Sequence, residues 1–199
     1  MKKVTDISTL DPSKQYTYAD YLTWQFSERV ELIKGWLYKM SPAPRRIHQK
    51  VEGAIFNKFF NYLELGTCEV YTSPFDVRLI KNKGQFDKEI NTVVQPDICV
   101  ICDLDKLDDA GCLGAPDLIV EIISDSTAKK DYNEKFNLYE ENKVKEYWIA
   151  NPATHTIEIF CLENEKYYSL GLFNESEGQK EVVGKLFPEL KISLKTIFN

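Results

Sequence analysis

The amino-acid sequence predicts an α/β protein with a central mixed β-sheet flanked by helices. Segments 96–103 and 116–123 are almost entirely apolar, which is typical of strands buried on both faces at the centre of a covered sheet. Segments 46–63 and 127–144 repeat apolar residues with helical spacing, so a helix can cover each face of those strands. Hairpins are predicted towards both ends of the chain, and the strand pairing is left open.

Composition and charge limit the classes of protein to consider. The 199 residues, 43% hydrophobic and 28% charged, suit one globular domain, which we expect to span residues 1–199 with 1–15 as a flexible end. The net charge of −6 excludes a generally basic surface, so a nucleic acid would need a local basic groove or metal ions. We expect a cytoplasmic protein, because no apolar run matches a membrane span or a signal core.

The five cysteines are expected to be core residues. An odd number without a secretion signal argues against a disulfide framework. Cys99 and Cys102 are three apart on a predicted strand and point to opposite faces, which argues against a zinc site.

The N-terminal half contains a hairpin, a helix and a strand. Segment 30–40 reads as the hairpin, turning at Lys34 and Gly35. The helix over 46–63 follows, and segment 69–80 alternates apolar and polar residues like a strand with one wet face. Segment 81–91 is polar and reads as a loop.

The C-terminal half begins with the two apolar strands, and each of them starts with Pro-Asp. Proline lacks the backbone N–H, and the first residue of a strand is the position where that loss disturbs strand pairing least. After the second helix, a strand over 145–152 ends at Asn151 and Pro152. Segment 154–170 reads as a hairpin, and 182–198 as an edge strand and a closing turn.

The second helix presents one apolar face and one inward-reaching lysine. Ser126 or Thr127 can cap it, and an aromatic face follows the i, i+4, i+7 spacing of Tyr132, Phe136 and Tyr139. Lys135 lies at the margin of that face, from which it can reach inward or simply lie along apolar surface.

An acid, Glu121, interrupts the second apolar strand. A buried carboxylate is costly unless something pairs with it, and Asp97, from a neighbouring strand, is the natural acid to reach it. Two such acids can share a proton or hold Mg²⁺ or Mn²⁺. Alternatively, Glu121 forms a buried ion pair with a helix lysine or arginine.

Four stretches resemble one known family: "VELIKGWLYKMSPAPRRIHQKV", "SPFDVRL", "PDICVICD" and "GAPDLIVEIISDSTAKKDYNEKFNLYEENKVKEYWIANP". They are similar to the Uma2 (DUF820) family of candidate restriction endonucleases, a group abundant in cyanobacteria. The resemblance covers roughly Tyr16 to Phe198. It implies the restriction-endonuclease-like fold of the PD-(D/E)xK nuclease superfamily and magnesium-dependent hydrolysis of DNA.

The resemblance also implies roles for the acids. Asp97 matches the first metal-binding acid and Glu121 the second, with the Ile122 carbonyl as a further ligand. The position two after Glu121, where the superfamily carries its catalytic lysine, holds Ile123. The superfamily can move that lysine to an adjacent helix, and Lys135 is the expected replacement.

Five further residues match the family less specifically. Lys129 and Lys130 are weaker candidates for the displaced lysine, because both lie in the first helical turn. His48 is expected to orient a phosphate or a metal-bound water, unless it only bonds a backbone carbonyl. Glu52, one turn later, is a further possible metal ligand, and Glu31 either faces the site or forms an ion pair.

Three functions therefore remain open. The leading hypothesis is a metal-dependent endonuclease acting on DNA, with Mg²⁺ or Mn²⁺ as cofactor and a homodimer as the expected assembly. The second is a nuclease-fold module that binds DNA or a protein without cleaving, which Ile123 and the acidic net charge favour. The third is a hydrolase that uses a carboxylate pair without metal.

Overall fold

Two six-stranded sheets form the body of the protein. The computed structural model describes residues 3–40, 45–124, 128–178 and 180–199. The strands of the described residues are β1 Val30–Ile33, β2 Trp36–Lys39, β3 Glu69–Thr72, β4 Val77–Arg78, β5 Val93–Val94, β6 Ile98–Ile101, β7 Leu107–Asp108, β8 Gly111–Leu113, β9 Leu118–Ile122, β10 Glu146–Asn151, β11 Thr156–Glu163, β12 Lys166–Asn174, β13 Glu181–Val182 and β14 Ile192–Ser193. The helices are α1 Tyr18–Tyr21, α2 Arg46–Leu63, α3 Phe136–Glu141 and α4 Leu194–Phe198, with a π-helical segment at Lys130–Lys135 and 3-10 turns at Ile7–Thr9, Leu104–Lys106 and Glu175–Glu177.

The two six-stranded sheets are formed by different sets of strands. The central sheet has the strand order β12-β11-β10-β9-β6-β3, and the hairpin sheet has the order β2-β1-β5-β4-β8-β7. β9 runs parallel to β10 and antiparallel to β6, so the central sheet is mixed. The predicted fold class is confirmed, and the two apolar strands are neighbours within the sheet. In the described part of the chain, no helix is long and apolar enough to cross a membrane.

Helix α2 covers one face of the central sheet, because its apolar residues recur every three or four positions. Val51, Ile55, Phe59 and Leu63 are buried against that face. Phe59 meets Trp148 of β10 edge-on, with ring centroids 5.5 Å apart. The other face packs against the hairpin sheet and α3, where Ile101, Ile119, Leu138 and Tyr139 share one cluster.

Both predicted hairpins are confirmed. β1 and β2 turn at Lys34 and Gly35, which both have positive φ, 51° and 86°. That conformation suits a two-residue hairpin turn and explains the glycine. β11 and β12 turn at Asn164 and Glu165, again with positive φ.

The single strand predicted over 69–80 is wrong. The segment forms β3 in the central sheet and β4 in the hairpin sheet, with a cis Ser73–Pro74 bond between them. Arg78, predicted to face water, is only 4% exposed. Its guanidinium lies 2.5 Å from an Asp108 oxygen and over the Tyr18 ring, so distant partners compensate its burial.

The second helix also departs from its predicted form. Its described part contains the π-helical segment before α3 and ends at Glu141, earlier than predicted. A π-helical turn rotates the residues around it, so the aromatic spacing no longer marks one face. Tyr132 is therefore 38% exposed, whereas Tyr139 is fully buried. The predicted caps, Ser126 and Thr127, lie outside the described residues.

Two smaller expectations also change, one for the cysteines and one for the C-terminal tail. Cys68 and Cys102 form a disulfide, against the expectation from the cysteine count. The β3–β6 register brings Glu69 opposite Ile101, so the next residues outward, the two cysteines, face each other. The connection before β9 contains the short β7–β8 hairpin, and the predicted tail pairs β13 with β14 before α4. Cys99 and Cys112 are free and buried, as expected, and Cys161 is also free and buried.

Two glycines provide a matched test of this packing. A Cβ on Gly184 would lie 2.1 Å from Glu146 Oε1 and 2.9 Å from the Trp148 ring. Because the Trp148 indole N–H and the Leu186 amide donate to that carboxylate, it cannot easily move. We expect Gly184→Ala to lower the free energy of unfolding by about 1–3 kcal/mol in urea denaturation. Gly53→Ala, in α2 with open space around it, should raise it by about 0.5–1 kcal/mol. Equal effects would contradict the Gly184 packing.

Candidate active site

Strand pairing brings Asp97 next to Glu121. Ile98 of β6 lies opposite Val120 of β9, so the residues one step further, Asp97 and Glu121, also lie opposite each other. The Ile122 amide donates a 2.7 Å hydrogen bond to Asp97 Oδ2. The antiparallel register therefore fixes both carboxylates at one edge of the central sheet.

Helix α2 adds His48 and Glu52 beside Asp97. His48 Nε2 lies 3.2 Å from Asp97 Oδ2, and His48 Nδ1 lies 3.7 Å from Glu52 Oε2. Nδ1 is buried and has no hydrogen-bond partner among the described residues. One ligand atom from each of the three side chains lies within 4.8 Å of the other two. The three residues thus offer the donor atoms of a cation site.

Glu121 forms a buried ion pair with Lys135. Lys135 Nζ lies 2.7 Å from Glu121 Oε1, and the Tyr139 hydroxyl donates to the same oxygen at 2.6 Å. The ion pair that the sequence left open is therefore present. Both bonds fall on Oε1, one of the two oxygens of the carboxylate.

Glu31 joins the hairpin sheet to this network. It is 1% exposed and lies 3.1 Å from Lys135 Nζ and 2.5 Å from Lys130 Nζ. The Gln95 amide donates a third bond at 3.1 Å. Glu31 was expected only to face the site or to form an ion pair, and it does both. The signal was the same as at Glu121, an acid within an apolar strand.

The pKa values of Glu121, Glu52 and His48 are all raised. Burial and neighbouring carboxylates raise the pKa of Glu121, although Lys135 opposes the rise. Burial and Asp97 raise the pKa of Glu52. Burial lowers the pKa of His48, but Asp97 and other acids outweigh burial and raise it overall. Each shift favours uptake of a proton or another cation.

These residues line one cleft of about 690 Å³. Its inner part, the floor, carries five acids: Glu31, Glu52, Asp97, Glu121 and Asp131. Its outer part, the rim, carries three exposed cations: Arg29, Lys39 and Arg45. Lys130 and Lys135 also line the cleft, and the Lys135 side chain is as buried as that of Glu121. The cleft is thus acidic inside and basic at its mouth, in a chain of net charge −6.

The structure brings the predicted site residues together. The cleft is lined by six of the predicted site residues, His48, Glu52, Asp97, Glu121, Ile122 and Lys135, whereas Lys129 is exposed and is not among its lining residues. Lys130, expected to be a weaker candidate, also lines it, and its side chain is 22% exposed compared with 5% for Lys135. Ile123 reaches the cleft as an apolar residue, so the lysine charge comes from the helical segment.

A divalent cation suits the floor of this cleft. Among the described residues of the cleft, the carboxylates of the floor outnumber the two lysines beside them. Buried charges need compensation, and carboxylate oxygens are ligands that Mg²⁺ and Mn²⁺ prefer. The residues therefore fit the kind of metal that the predicted family uses.

Comparison with known proteins supports the resemblance. Residues 18–195 match the model of the Uma2 family, described as "Putative restriction endonuclease". Two proteins of Synechocystis sp. are similar: "Uncharacterized protein slr1290" is 24% identical over 75% of each chain, and "Uncharacterized protein sll1609" is 27% identical over 80% of this chain and 84% of its own.

A solved structure shares the fold. The crystal structure of a putative nuclease belonging to DUF820 from Anabaena variabilis superposes with a TM-score of 0.71. The match covers 92% of this chain and 97% of that chain at 17% identity. At that identity, the likeness describes the fold alone.

Proposed function

The chain belongs to the Uma2 family, and on that premise we propose that it is a metal-dependent endonuclease that hydrolyses DNA phosphodiester bonds. The observation that carries the proposal is the pairing of Asp97 with Glu121 on neighbouring strands, beside Lys135. Two acids can hold a divalent cation, and a lysine beside them can stabilise negative charge on a phosphate, so these groups suit metal-assisted hydrolysis.

The acids would hold Mg²⁺ or Mn²⁺. Asp97 and Glu121 supply carboxylates, the Ile122 carbonyl adds an oxygen, and Glu52 can complete the set. A bound divalent cation polarises the phosphoryl group and lowers the pKa of water. Because Lys135 and Tyr139 hold Glu121 Oε1, its other oxygen can face the cation in a fixed orientation.

The lysines would stabilise the negative charge that develops on the phosphate. A cation in a partly dry cleft stabilises negative charge more strongly than one in water. Lys135 is held in the cleft by acids, so it is positioned before substrate arrives. Lys130 is more exposed and can contact the phosphate at the mouth.

The basic rim supports a nucleic acid as substrate. Arg29, Lys39 and Arg45 are exposed around an acidic floor, so they can attract a phosphate backbone that the protein as a whole would repel. Nucleases that cut both strands of DNA often act as dimers, so a homodimer is part of the proposal, as is action in the cytoplasm.

A cleavage assay tests the proposal. Plasmid and single-stranded DNA are incubated with Mg²⁺ or Mn²⁺, or with a chelator, and the products are separated on a gel. We expect cation-dependent cleavage that falls at least about a hundredfold in Asp97→Ala and in Glu121→Ala. Asp103→Ala, an exposed acid beyond the end of β6, should cleave like the wild type.

Each other outcome favours a different function. Equal cleavage by the wild type and both site variants would contradict the nuclease hypothesis. Binding in a gel-shift assay without cleavage would favour a non-catalytic module, which the Glu121–Lys135 ion pair also permits, because it satisfies the acid without metal. Cleavage that survives the chelator would favour a carboxylate pair acting without metal.

A further inference from the structure

We infer that Arg29 binds one phosphate of the DNA backbone through two parallel hydrogen bonds, and that Gln95 is the residue that positions Arg29 for this contact. The inference deepens the proposed function and rests on it, because the phosphate belongs to the DNA that the same cleft would cleave. Neither residue was among those predicted for the site.

The first argument is the way Gln95 holds the Arg29 guanidinium. Gln95 Oε1 accepts hydrogen bonds from Arg29 Nε at 3.1 Å and from Arg29 Nη2 at 2.7 Å. A guanidinium carries its five N–H donors in one rigid plane, so two bonds to one edge orient the whole group. Because these bonds use the Nε–Nη2 edge, the Nη1–Nη2 edge is left for a ligand.

The second argument is that the Gln95 amide is itself fixed. Gln95 Nε2 donates to Asp76 Oδ1 at 2.8 Å and to the Tyr21 hydroxyl oxygen at 3.2 Å. The Tyr21 hydroxyl donates to the same Asp76 oxygen at 3.1 Å. A flipped amide would turn its NH₂ group against the N–H donors of Arg29 and its oxygen against the Asp76 carboxylate. The three residues thus form a chain of bonds that allows only one orientation of the amide.

The third argument is the position of this pair beside the proposed cation site. Arg29 and Gln95 both line the cleft, and Gln95 precedes Asp97 by two residues. Burial and Asp97 raise the pKa of Glu52, and the positive charge of Arg29 opposes that rise. Arg29 therefore lies within electrostatic reach of a candidate cation ligand. A phosphate on Arg29 would share the cleft with the phosphate that is cleaved.

The chemistry of the guanidinium indicates the ligand. Two parallel N–H donors match two oxygens of one phosphate, and Arg29 is exposed, so a DNA strand can reach it. Gln95 orders the side chain before binding, which lowers the entropy lost on contact. Phosphate contacts set the register of a strand without reading its bases, so Arg29 should act alike on every DNA sequence.

The first measurement is the fluorescence anisotropy of a labelled DNA duplex titrated with the protein at several KCl concentrations. Ca²⁺ replaces Mg²⁺, because it also binds carboxylate oxygens, and a gel checks that the DNA stays intact. Each neutralised phosphate contributes about 0.9 to the slope of log affinity against log salt concentration. Arg29→Ala should reduce the slope by about 0.9 and weaken binding about tenfold at low salt.

Two further variants separate charge from orientation. Arg29→Lys keeps the charge but cannot donate two parallel bonds, so it should keep the slope and lose about three- to tenfold in affinity. Gln95→Met keeps the length of the side chain but removes the acceptor, so it should also keep the slope. It should lower the single-turnover cleavage rate with Mg²⁺ about three- to tenfold, because Arg29 is no longer held in place.

Lys166→Ala provides the matched control, because it removes the same charge elsewhere. Lys166 is exposed and pairs with Glu140. It lies opposite Glu163 at the β11–β12 turn, at the end of the central sheet away from Asn151, which lines the cleft. This variant should keep the slope and the cleavage rate of the wild type. Circular dichroism checks that every variant is folded.

The inference and the proposed function fail in different ways. A slope that is unchanged in Arg29→Ala, or that falls equally in Lys166→Ala, would overturn the phosphate contact and leave the nuclease proposal intact. Wild-type affinity and cleavage in Gln95→Met would overturn the role of Gln95. A slope that falls only in Arg29→Ala, in a protein that binds DNA without cleaving it, would support the contact and overturn the nuclease proposal. A wild type that binds no DNA would overturn both.

Discussion

Lys135→Met should lower the free energy of unfolding by about 3–5 kcal/mol, because it leaves buried acids without their shared cation. Lys135 is 4% exposed and lies within 3.9 Å of oxygens of Glu31, Glu121 and Asp131. Methionine nearly matches the shape of the lysine stem, so the loss should come from charge more than from packing. Urea denaturation at neutral pH measures the change.

A neighbouring lysine provides the control. Lys129 is exposed on the same helical segment, and Lys129→Met should change stability by no more than about 0.5 kcal/mol. Comparable losses in the two variants would mean that the acids around Lys135 find another partner. The network would then not depend on this lysine.

Acid should destabilise the wild type through Glu31, and Glu31→Gln should remove that dependence. Burial opposes ionisation of Glu31, but Lys135 and Lys130 outweigh it and lower its pKa from 4.5 to about 2. A depressed pKa in the folded state means that the ionised form stabilises the fold. The difference corresponds to about 3 kcal/mol at neutral pH.

The direction of the pH dependence follows from that shift. The contribution of Glu31 is complete above the unfolded pKa of 4.5 and is lost as the pH falls towards 2. We expect Glu31→Gln to be about 3 kcal/mol less stable than the wild type at pH 7, with the gap closing at acid pH. Unfolding free energies measured in urea from pH 7 to pH 3 test this, with the exposed Glu64→Gln as control. A gap that is constant with pH would show that Glu31 contributes by packing alone.

Much of the fold was predictable because local spacing reports burial. The apolar segments 96–103 and 116–123, which contain Asp97 and Glu121, were predicted to be central strands. They form β6 and β9, which are neighbours in the central sheet. The helical spacing of apolar residues predicted over 46–63 holds in α2, where Val51, Ile55, Phe59 and Leu63 are buried. Regular elements repeat, so the sequence carries their pattern.

The predictions that were wrong share a different cause, which is contact between segments that are distant in the chain or a break in regular spacing. Arg78 looked like a surface residue, because its partner Asp108 is thirty positions away in the chain. The single strand predicted over 69–80 failed because its two halves pair in different sheets. The buried face of the second helix was misjudged because the π-helical segment breaks the regular spacing.

The sequence by itself determined which residues are candidates for the site. An acid in an apolar strand must have a partner, so Glu121 and Asp97 were identified from the cost of burying charge, and Lys135 from its place at the margin of the apolar helix face. The tertiary structure decided how those charges combine. It placed Glu31, from the other sheet, against Lys135, and it turned His48 Nδ1 towards Glu52. Such contacts depend on strand register and helix packing between distant segments, and no local pattern records them.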